Sequence, residues 1–179
     1  ALPVLSGLRV SPTEAGVELV GSDLELTIRV EAPADTEGEG SSVVPARLFS
    51  EIVHKLDPGT VTVEFTDDEA RVEAGRFRTA LRTLSAADFP RLTEPSGAGV
   101  KVAAGALTEA LRQVVPAASR DDARPILTGV LLAASADGLR LVATDSYRLA
   151  VRDLQGVSML PEGQKVLVAG KGLGEVQRL

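Results

Sequence analysis

Apolar and polar side chains alternate along several segments in the first half of the chain. This period of two predicts strands of an antiparallel sheet that has one buried face. The clearest example reads LELTIRV, and glycines such as Gly16, Gly59 and Gly75 separate the segments as turn residues do. The predicted strands are Val17 to Val20, Leu24 to Val30, Val61 to Phe65, Ala70 to Ala74 and Phe77 to Leu84.

Two other segments place their apolar residues three and four positions apart, and each predicts a helix with one buried face. The first runs from Pro45 to Leu56 and the second from Ala104 to Val115. Proline is tolerated in the first turn of a helix, and Pro116 would end the second helix. The acidic, glycine-rich stretch from Ala32 to Ser42 predicts a solvated loop between strands.

The chain also contains an internal repeat. Thirty residues from Ala1 align without a gap with those from Ala123, at an offset of 122, and eight positions are identical. From Val44 onwards the offset becomes 124, which an insertion of two residues before Lys165 explains, and the repeat then predicts a helix that starts at Gly170. The identities are Ala1/Ala123, Pro3/Pro125, Leu5/Leu127, Gly7/Gly129, Gly16/Gly138, Leu19/Leu141, Val20/Val142 and Asp23/Asp145.

The repeat predicts the domain organisation. Its units are about 120 residues long, the size of one domain. We expect domain one over residues 1–97, without its first strand and helix, and domain two over 98–179, without its C-terminal part, because the chain looks cut at both ends. Residues 94–99 (EPSGAG) are the predicted linker. Lys and Arg number 9 against 17 Asp and Glu before the boundary and 10 against 8 after it, so the acidity belongs to domain one.

Composition excludes several classes of chemistry. The chain has no cysteine and one histidine, His54, so thiolate sites and histidine clusters for metals are excluded. Aromatic residues make up 3%, too few for a platform that stacks on unpaired bases. No apolar run approaches the roughly 20 residues that cross a bilayer. We therefore expect a cytoplasmic protein without membrane contact.

Four stretches, in this order and spacing, resemble the bacterial sliding clamp family, the beta subunit of the replicative DNA polymerase: GSDLEL, VPARLFSEI, GRFRTALRTLSAADFPRL and ATDSYRLAV. The resemblance covers essentially the whole chain and implies an α+β fold, the DNA clamp, in which repeated domains of antiparallel sheet are each backed by two helices. It also implies no enzymatic activity and no cofactor.

The resemblance further implies a mechanism. In the family, two three-domain chains close head to tail into a homodimeric ring around duplex DNA, which they hold without regard to sequence. The ring tethers polymerase, clamp loader and repair proteins through short linear motifs and so gives processivity. A net charge of −6 is compatible with this mechanism, because positive charge is needed only on the inner wall.

The resemblance assigns a partner-peptide pocket to the second domain, in the segment TDSYRL and the strand before it. Asp145 has a counterpart in Asp23, which favours a structural role such as a turn cap, whereas Tyr147 and Arg148 occur in the second copy alone and favour function. Without the family, packing at a strand start is the competing interpretation of Tyr147. The positions carried over are Leu127, Thr144, Ser146, Tyr147, Arg148 and Leu149.

Two further sets of residues follow from the resemblance. Arg120, Arg124, Arg112 and Arg47 are expected to face DNA, although a solvated helix face is the alternative for scattered charges. The strand that carries Arg76, Phe77, Arg78 and Leu81 is the expected dimer edge, although it could equally be a half-exposed strand.

Two other classes of function stay open at this point. One is a cytoplasmic interaction scaffold with the same repeated fold but without DNA enclosure. The other is a nucleotide-dependent enzyme, which would need a phosphate loop at Gly170 to Gly174 (GKGLG). That segment lacks the spacing and the Ser or Thr of such a loop, so a glycine-rich helix start is favoured.

Overall fold

The alternating apolar residues at the start of the chain form an antiparallel sheet of four strands. The structure, a computed structural model, describes residues 2–93, 100–135 and 137–178. The strands lie in the order β3-β2-β1-β4, so β3 and β4 form the edges. Their bounds are β1 Gly7–Thr13, β2 Gly16–Ser22, β3 Thr27–Ala32 and β4 Ser42–Pro45.

Helix α1 (Ala46–Lys55) begins directly after β4 and leads into a second sheet of three strands, in the order β5-β6-β7. The predicted helix from Pro45 to Leu56 is therefore confirmed. Val10 and Val44 of the first sheet pack with Leu81 of the second, and the apolar face of α1 closes this core. The strands of the second sheet are β5 Thr62–Phe65, β6 Glu69–Ala74 and β7 Phe77–Arg82.

The predicted strand from Leu24 to Val30 is wrong at its start. β3 begins at Thr27, and Leu24 lies in a turn with a φ of 75°. The alternation of leucines with acidic residues has the period of a strand, but the Ser22 and Asp23 side chains hydrogen-bond the backbone of the turn and end β2 there.

The second half of the chain repeats this arrangement. Helix α2 (Ala104–Val114) precedes a four-stranded antiparallel sheet in the order β10-β9-β8-β11, which is the order of the first sheet, and helix α3 (Gly170–Val176) follows β11. Leu111 and Val114 of α2 are buried against Leu139 and Leu141 of the sheet. The strands are β8 Gly129–Ser135, β9 Gly138–Thr144, β10 Leu149–Gln155 and β11 Lys165–Ala169.

The structure confirms the repeat and both of its offsets. β8 and β9 begin 122 residues after β1 and β2, whereas α3 begins 124 residues after α1, at Gly170 as predicted. Gly16 and Gly138 have φ of 140° and 154°, and a Cβ atom at either position would collide with a backbone carbonyl of the neighbouring strand. This double constraint explains why both copies keep glycine.

The chain divides into two units, Ala1–Glu94 and Pro95–Leu179. The domain boundary predicted between residues 97 and 98 lies within 94–99, outside the described residues. Within the described ranges the first unit contains one α-helix, α1, and the second contains two. None of the described helices is long and apolar enough to cross a membrane.

Candidate functional site: the turn from β9 to β10 and its cavity

The turn between β9 and β10 is built by two side chains that hydrogen-bond its backbone. The Asp145 carboxylate accepts from the N–H groups of Tyr147 and Arg148, each at 3.0 Å. The Thr144 hydroxyl donates to the Arg148 carbonyl at 2.7 Å and accepts from the Ser146 N–H at 3.2 Å. Every residue of the turn is therefore held by at least one hydrogen bond.

The first unit has the same turn between β2 and β3. Asp23 accepts from the N–H groups of Glu25 and Leu26, at 3.1 and 2.8 Å, and the Ser22 hydroxyl bonds the backbone of Leu24 and Leu26. Leu24 and its counterpart in the second unit are the non-glycine residues with positive φ in the described chain. The interpretation of the repeated aspartate as a turn cap is confirmed.

The turn of the second unit presents side chains that the first lacks. Tyr147 is 93% exposed, and Leu149 is also exposed at the start of β10. The Arg148 guanidinium reaches back to Asp145, with 2.9 Å between Nε and Oδ2. This ion pair and the backbone donors of Arg148 and Tyr147 lower the pKa of the Asp145 carboxyl, the hydrogen bond from the Arg148 N–H most of all.

A second segment meets this turn. Arg124 donates from Nη1 to the Ser146 hydroxyl at 3.1 Å and pairs through Nε with Asp121 at 3.0 Å. Asp121 also accepts from the Ala123 N–H, which, followed by the Arg124 hydrogen bond, lowers the pKa of its carboxyl. The loop after α2 is thereby joined to the turn through one arginine.

The two segments line an open cavity of about 430 Å³. Of the six predicted pocket residues, Tyr147 and Arg148 line it, whereas the other four lie outside its lining. Three arginines and two aspartates place charged groups in the wall beside the Tyr147 ring, with one positive charge in excess. The lining residues are Ala118, Ser119, Arg120, Asp121, Arg124, Asp145, Tyr147 and Arg148.

The cavity therefore brings together residues for which we predicted two different roles. Arg120 and Arg124, predicted to face DNA, share the cavity with Tyr147 and Arg148. Ser119 also lines the cavity and is absent from the residues predicted from the sequence. The signal that could have found it is the run of polar residues immediately after the predicted helix α2.

The four arginines predicted to face DNA differ in whether a carboxylate pairs with them. Arg47 pairs with Glu51 one helical turn away, at 3.0 Å. Arg112 donates two hydrogen bonds to Glu109, at 2.9 and 2.8 Å, and these hydrogen bonds, more than the charge of Arg112, lower the pKa of the Glu109 carboxyl. Arg120 has no ion pair with any of the described residues.

Three of the four residues predicted for the dimer edge lie on β7. β7 is an outer strand of the three-stranded sheet, with Arg78 exposed and paired to Glu73 at 3.4 Å. Arg76 lies in the turn before β7 and not on the strand, because Gly75 and Arg76 connect β6 to β7. Leu81 also lies on β7, but its side chain faces inward and is buried in the core.

Phe77 is the first residue of β7 and borders a shallow groove of about 170 Å³. The groove runs along the exposed side of α1, where Leu48 is partly uncovered. His54 lies nearby on the same helix, exposed, with Nδ1 3.0 Å from the Ser50 carbonyl oxygen. Besides Phe77, the groove is lined by Leu48, Glu51, Ile52, Lys55 and Leu56.

Among the described residues, no group of three or more His, Cys, Asp or Glu side chains could hold a metal ion. The polar side chains that line the cavity are three guanidinium groups, two carboxylates, the Ser119 hydroxyl and the Tyr147 phenol. Guanidinium groups bind carboxylates and carbonyls, and the phenol ring can contact the apolar parts of a ligand.

Two family models match the chain in succession. The model for the N-terminal domain of the DNA polymerase III beta subunit matches residues 1–93, and that for its central domain matches residues 101–179. The chain belongs to the DNA polymerase III beta subunit family. Its two units correspond to the first two domains named by these models.

Individual members of this family are similar over the same range. The beta sliding clamp of Micrococcus luteus is 38% identical over 180 residues, which are 99% of this chain and 57% of that protein. The crystal structure of the Bacillus subtilis clamp superimposes with a TM-score of 0.88 at 32% identity and covers 99% of this chain. A Pseudomonas aeruginosa clamp bound to griselimycin has a TM-score of 0.86 at 33% identity, again over 99% of this chain.

The match to these beta subunit structures establishes the α+β clamp fold predicted from the sequence. The chain spans 50% of the Bacillus subtilis chain and 49% of the Pseudomonas aeruginosa chain. It therefore contains about half of a clamp subunit of their length.

Proposed function

We propose that this chain forms the first two domains of a sliding clamp, which encircles duplex DNA and tethers the replicative polymerase and other replication and repair proteins. The observation that carries the proposal is the succession of N-terminal and central beta subunit domains over residues 1–93 and 101–179. The clamp acts in the cytoplasm as a ring of two subunits, and it gives processivity without catalysing a reaction.

The charge distribution supports a role on DNA. Residues 98–179 carry 10 Lys and Arg against 8 Asp and Glu, although the chain as a whole has a net charge of −6. Arg120 is the strongest candidate for a phosphate contact, because no acidic side chain within the described ranges pairs with it. Arg47, Arg112 and Arg124 would contribute when phosphate competes with their carboxylate partners.

The cavity beside the turn from β9 to β10 supports the binding of partner peptides. Tyr147 offers an exposed aromatic ring, and Arg148 and Arg120 offer donors for carbonyl and carboxylate groups. Leu127 and Leu149 would extend this surface with apolar contacts, and Thr144 and Ser146 would hold its shape.

The groove between α1 and Phe77 supports ring closure at the first unit. An outer strand with exposed backbone groups and an adjacent apolar groove can accept the edge of another domain. We propose Phe77 and Arg78 as the contact residues on β7, with Arg76 in the adjoining turn.

Topological loading tests the DNA function. In a chimera, residues 1–179 replace the matched part of the Micrococcus luteus clamp, and a clamp loader places the protein on nicked circular DNA. We expect the chimera to remain on circular DNA through gel filtration at high salt and to be released when the DNA is cut once. Retention that is equal on circular and linear DNA, or absent from both, would favour a scaffold without DNA enclosure.

Griselimycin tests the cavity as a ligand site, because a relative binds it. We expect calorimetric titration to show binding to the wild-type chimera and at least about tenfold weaker binding when Tyr147→Ala and Arg148→Ala are combined. The matched control combines Glu25→Ala with Leu26→Ala at the equivalent turn of the first unit and should bind normally. Equal affinity in all three proteins would show that griselimycin binds outside the cavity and would contradict a role of Tyr147 and Arg148 in binding it.

A further inference from the structure

The middle of β10 carries an arginine between two side chains that pack in the core. Ala150 and Leu154 belong to the cluster that α2 covers, and side chains two positions apart on a strand point to the same face of the sheet. Arg152 lies between them and is opposite Leu141 of β9, which is buried in the same cluster. The Arg152 side chain therefore leaves the sheet on the face that carries α2, and the residue is exposed.

The opposite face of the sheet is electrically balanced beside this arginine. Asp153 is opposite Arg140 of β9, and their side chains form an ion pair with two hydrogen bonds, of 2.7 and 2.9 Å. Val151, the other neighbour of Arg152 along the strand, is aliphatic. Arg152 itself has no ion pair with any residue that the structure describes. The unpaired positive charge of this part of the sheet therefore lies on the side of α2.

A second arginine lies on the same side, in α2 itself. Glu109 accepts two hydrogen bonds from Arg112 and one of 2.6 Å from Gln113. The hydrogen bonds of Arg112 lower the pKa of the Glu109 carboxyl most, and the charge of Arg152 lowers it further. Arg152 is therefore close enough to α2 for its charge to act on Glu109. The surface that Glu109, Arg112 and Arg152 share has one positive charge in excess, and we call it the α2–β10 surface.

The repeat shows that the fold does not need an arginine at this position. The counterpart of Arg152 at the offset of 122 is Val30 of β3, which is opposite Leu19 as Arg152 is opposite Leu141. The same strand position thus accepts an aliphatic side chain in the first unit. A guanidinium that the fold does not require, and that no described carboxylate neutralises, is available to bind an anion.

We infer that Arg152 contacts the phosphate backbone of the duplex beside Arg112, so that a strand of the sheet contributes to DNA contact together with α2. The inference rests on the proposed function, because it takes the duplex to lie on the side of Arg112. The long side chain of an arginine can extend from β10 past the helix to a phosphate oxygen. A contact of this kind reads no base sequence, and it weakens as salt concentration rises.

Salt-dependent binding of a labelled duplex tests the inference. Arg152→Ala and Arg152→Lys are made in the Micrococcus luteus chimera, and fluorescence anisotropy gives the dissociation constant at several salt concentrations. We expect Arg152→Ala to make the slope of log affinity against log salt shallower by up to about 0.9, the value of one phosphate contact. Arg152→Lys should keep most of the slope, because an ammonium group also binds phosphate.

Arg140→Ala is the matched control, because it removes the same charge from the opposite face of the neighbouring strand. It should leave the salt slope at the wild-type value. Equal losses of slope for Arg140→Ala and Arg152→Ala would reveal an effect of net charge alone and would overturn the inference. An unchanged slope for Arg152→Ala would overturn it as well. Both arginines are exposed, so urea denaturation should show that each variant remains folded.

Proximity to the duplex provides a measurement that does not depend on charge. Arg152→Cys and Asp153→Cys are introduced separately into the chimera, whose other cysteines are changed to serine, and each is labelled with an iron–EDTA reagent that cleaves nearby DNA. We expect cleavage from position 152 and loss of most of it at position 153, because adjacent side chains of a strand leave the sheet on opposite faces. Cleavage that is equal from the two positions, or stronger from position 153, would contradict the inference.

The result can be separated from that of the proposed function. A chimera that remains on circular DNA, but in which Arg152→Ala leaves the salt slope unchanged, would keep the clamp function and exclude Arg152 as a contact. A chimera that is not retained on circular DNA would contradict the proposed function and this inference together.

Discussion

Arg124 and Ser146 are 22 residues apart in the chain and joined by a hydrogen bond of 3.1 Å from guanidinium to hydroxyl. Ser146 has a φ of 80°, a conformation that favours glycine, and its hydroxyl is the feature that glycine could not supply. The bond connects the loop after α2 to the turn between β9 and β10, which are the two walls of the cavity. Ser146 therefore shapes the candidate site although its side chain does not line it.

Two substitutions of Ser146 should separate the contribution of backbone strain to stability from that of the hydrogen bond. Ser146→Gly relieves a left-handed strain of about 1 kcal/mol and loses a hydrogen bond of about the same value, so its stability should stay near that of wild type. Ser146→Ala loses the bond and keeps the strain, so it should be less stable by about 1 kcal/mol. Urea denaturation followed by circular dichroism measures both.

Leu24→Gly is the matched control for this pair of variants, because Leu24 has the same backbone conformation. Its exposed side chain makes no hydrogen bond, so the glycine should gain about 1 kcal/mol. Equal stability of the alanine and glycine variants at position 146 would contradict the account of strain at that residue.

The turn should weaken in acid. The pKa of Asp145 is lowered in the folded protein, chiefly by the N–H group of Arg148. The stability that the charged carboxylate contributes is therefore complete above the ordinary pKa of about 4 and is lost as the pH falls through the lower folded value.

Urea denaturation between pH 3 and pH 7 tests this dependence. The difference in unfolding free energy between wild type and Asp145→Asn should be constant above about pH 5 and should shrink below about pH 4. Asp145→Ala, which also loses the acceptor for two backbone N–H groups, should be less stable than Asp145→Asn at every pH. A difference that grows on acidification would show that the charged form does not stabilise the fold.

Removing a carboxylate should increase affinity for DNA. Glu109 neutralises Arg112 through two hydrogen bonds, so Glu109→Gln should release the guanidinium for phosphate. We expect tighter binding of a labelled duplex to the clamp chimera at low salt, and a slope against log salt steeper by up to about 0.9, the value of one phosphate contact. Fluorescence anisotropy at several salt concentrations measures both.

Arginine variants provide the comparison. Arg120→Ala should reduce duplex affinity more than Arg112→Ala, because Arg112 is already paired with Glu109. Adding Arg112→Ala to Glu109→Gln should abolish the gain. If Glu109→Gln leaves the salt slope unchanged, Arg112 does not face the DNA.

Truncation of two residues of β7 should affect two different properties, the stability of the fold and the strength of the dimer. Leu81 is buried between the two sheets of the first unit, so Leu81→Ala should cost about 2 to 5 kcal/mol in unfolding free energy. Phe77 is partly exposed beside the groove of α1, so Phe77→Ala should cost much less in stability and should instead weaken the dimer of the clamp chimera. Analytical ultracentrifugation with parallel denaturation measures the two effects. Strong destabilisation by Phe77→Ala would assign that residue to the core.

Much of the fold is predictable because its patterns are local. The helix from Pro45 to Leu56 and the strands around Gly75 follow from periodicity and turn residues, and the repeat predicts the start of α3 at Gly170. The strand error at Leu24 has a physical cause. The hydrogen bonds of Ser22 and Asp23 override an alternation that resembles a strand.

The candidate site is less predictable because it depends on contacts distant in sequence. Tyr147 and Arg148 stand out as differences between the two copies, but the contact of Arg124 with Ser146 depends on the path of the loop after α2. That path also brings Arg120, Asp121 and Arg124 to the cavity. The burial of Leu81 likewise depends on which face of β7 meets the first sheet.

The duplicated turn has a consequence for how such a protein can diversify. In both copies a hydroxyl and a carboxylate, Ser22 with Asp23 or Thr144 with Asp145, hydrogen-bond the backbone of the turn. The position between the second residue of the turn and its last residue accepts different side chains, Glu25 in one copy and Tyr147 in the other. A substitution at this position in one copy can therefore change which ligands that turn contacts, at little risk to folding, while the other copy keeps the same turn.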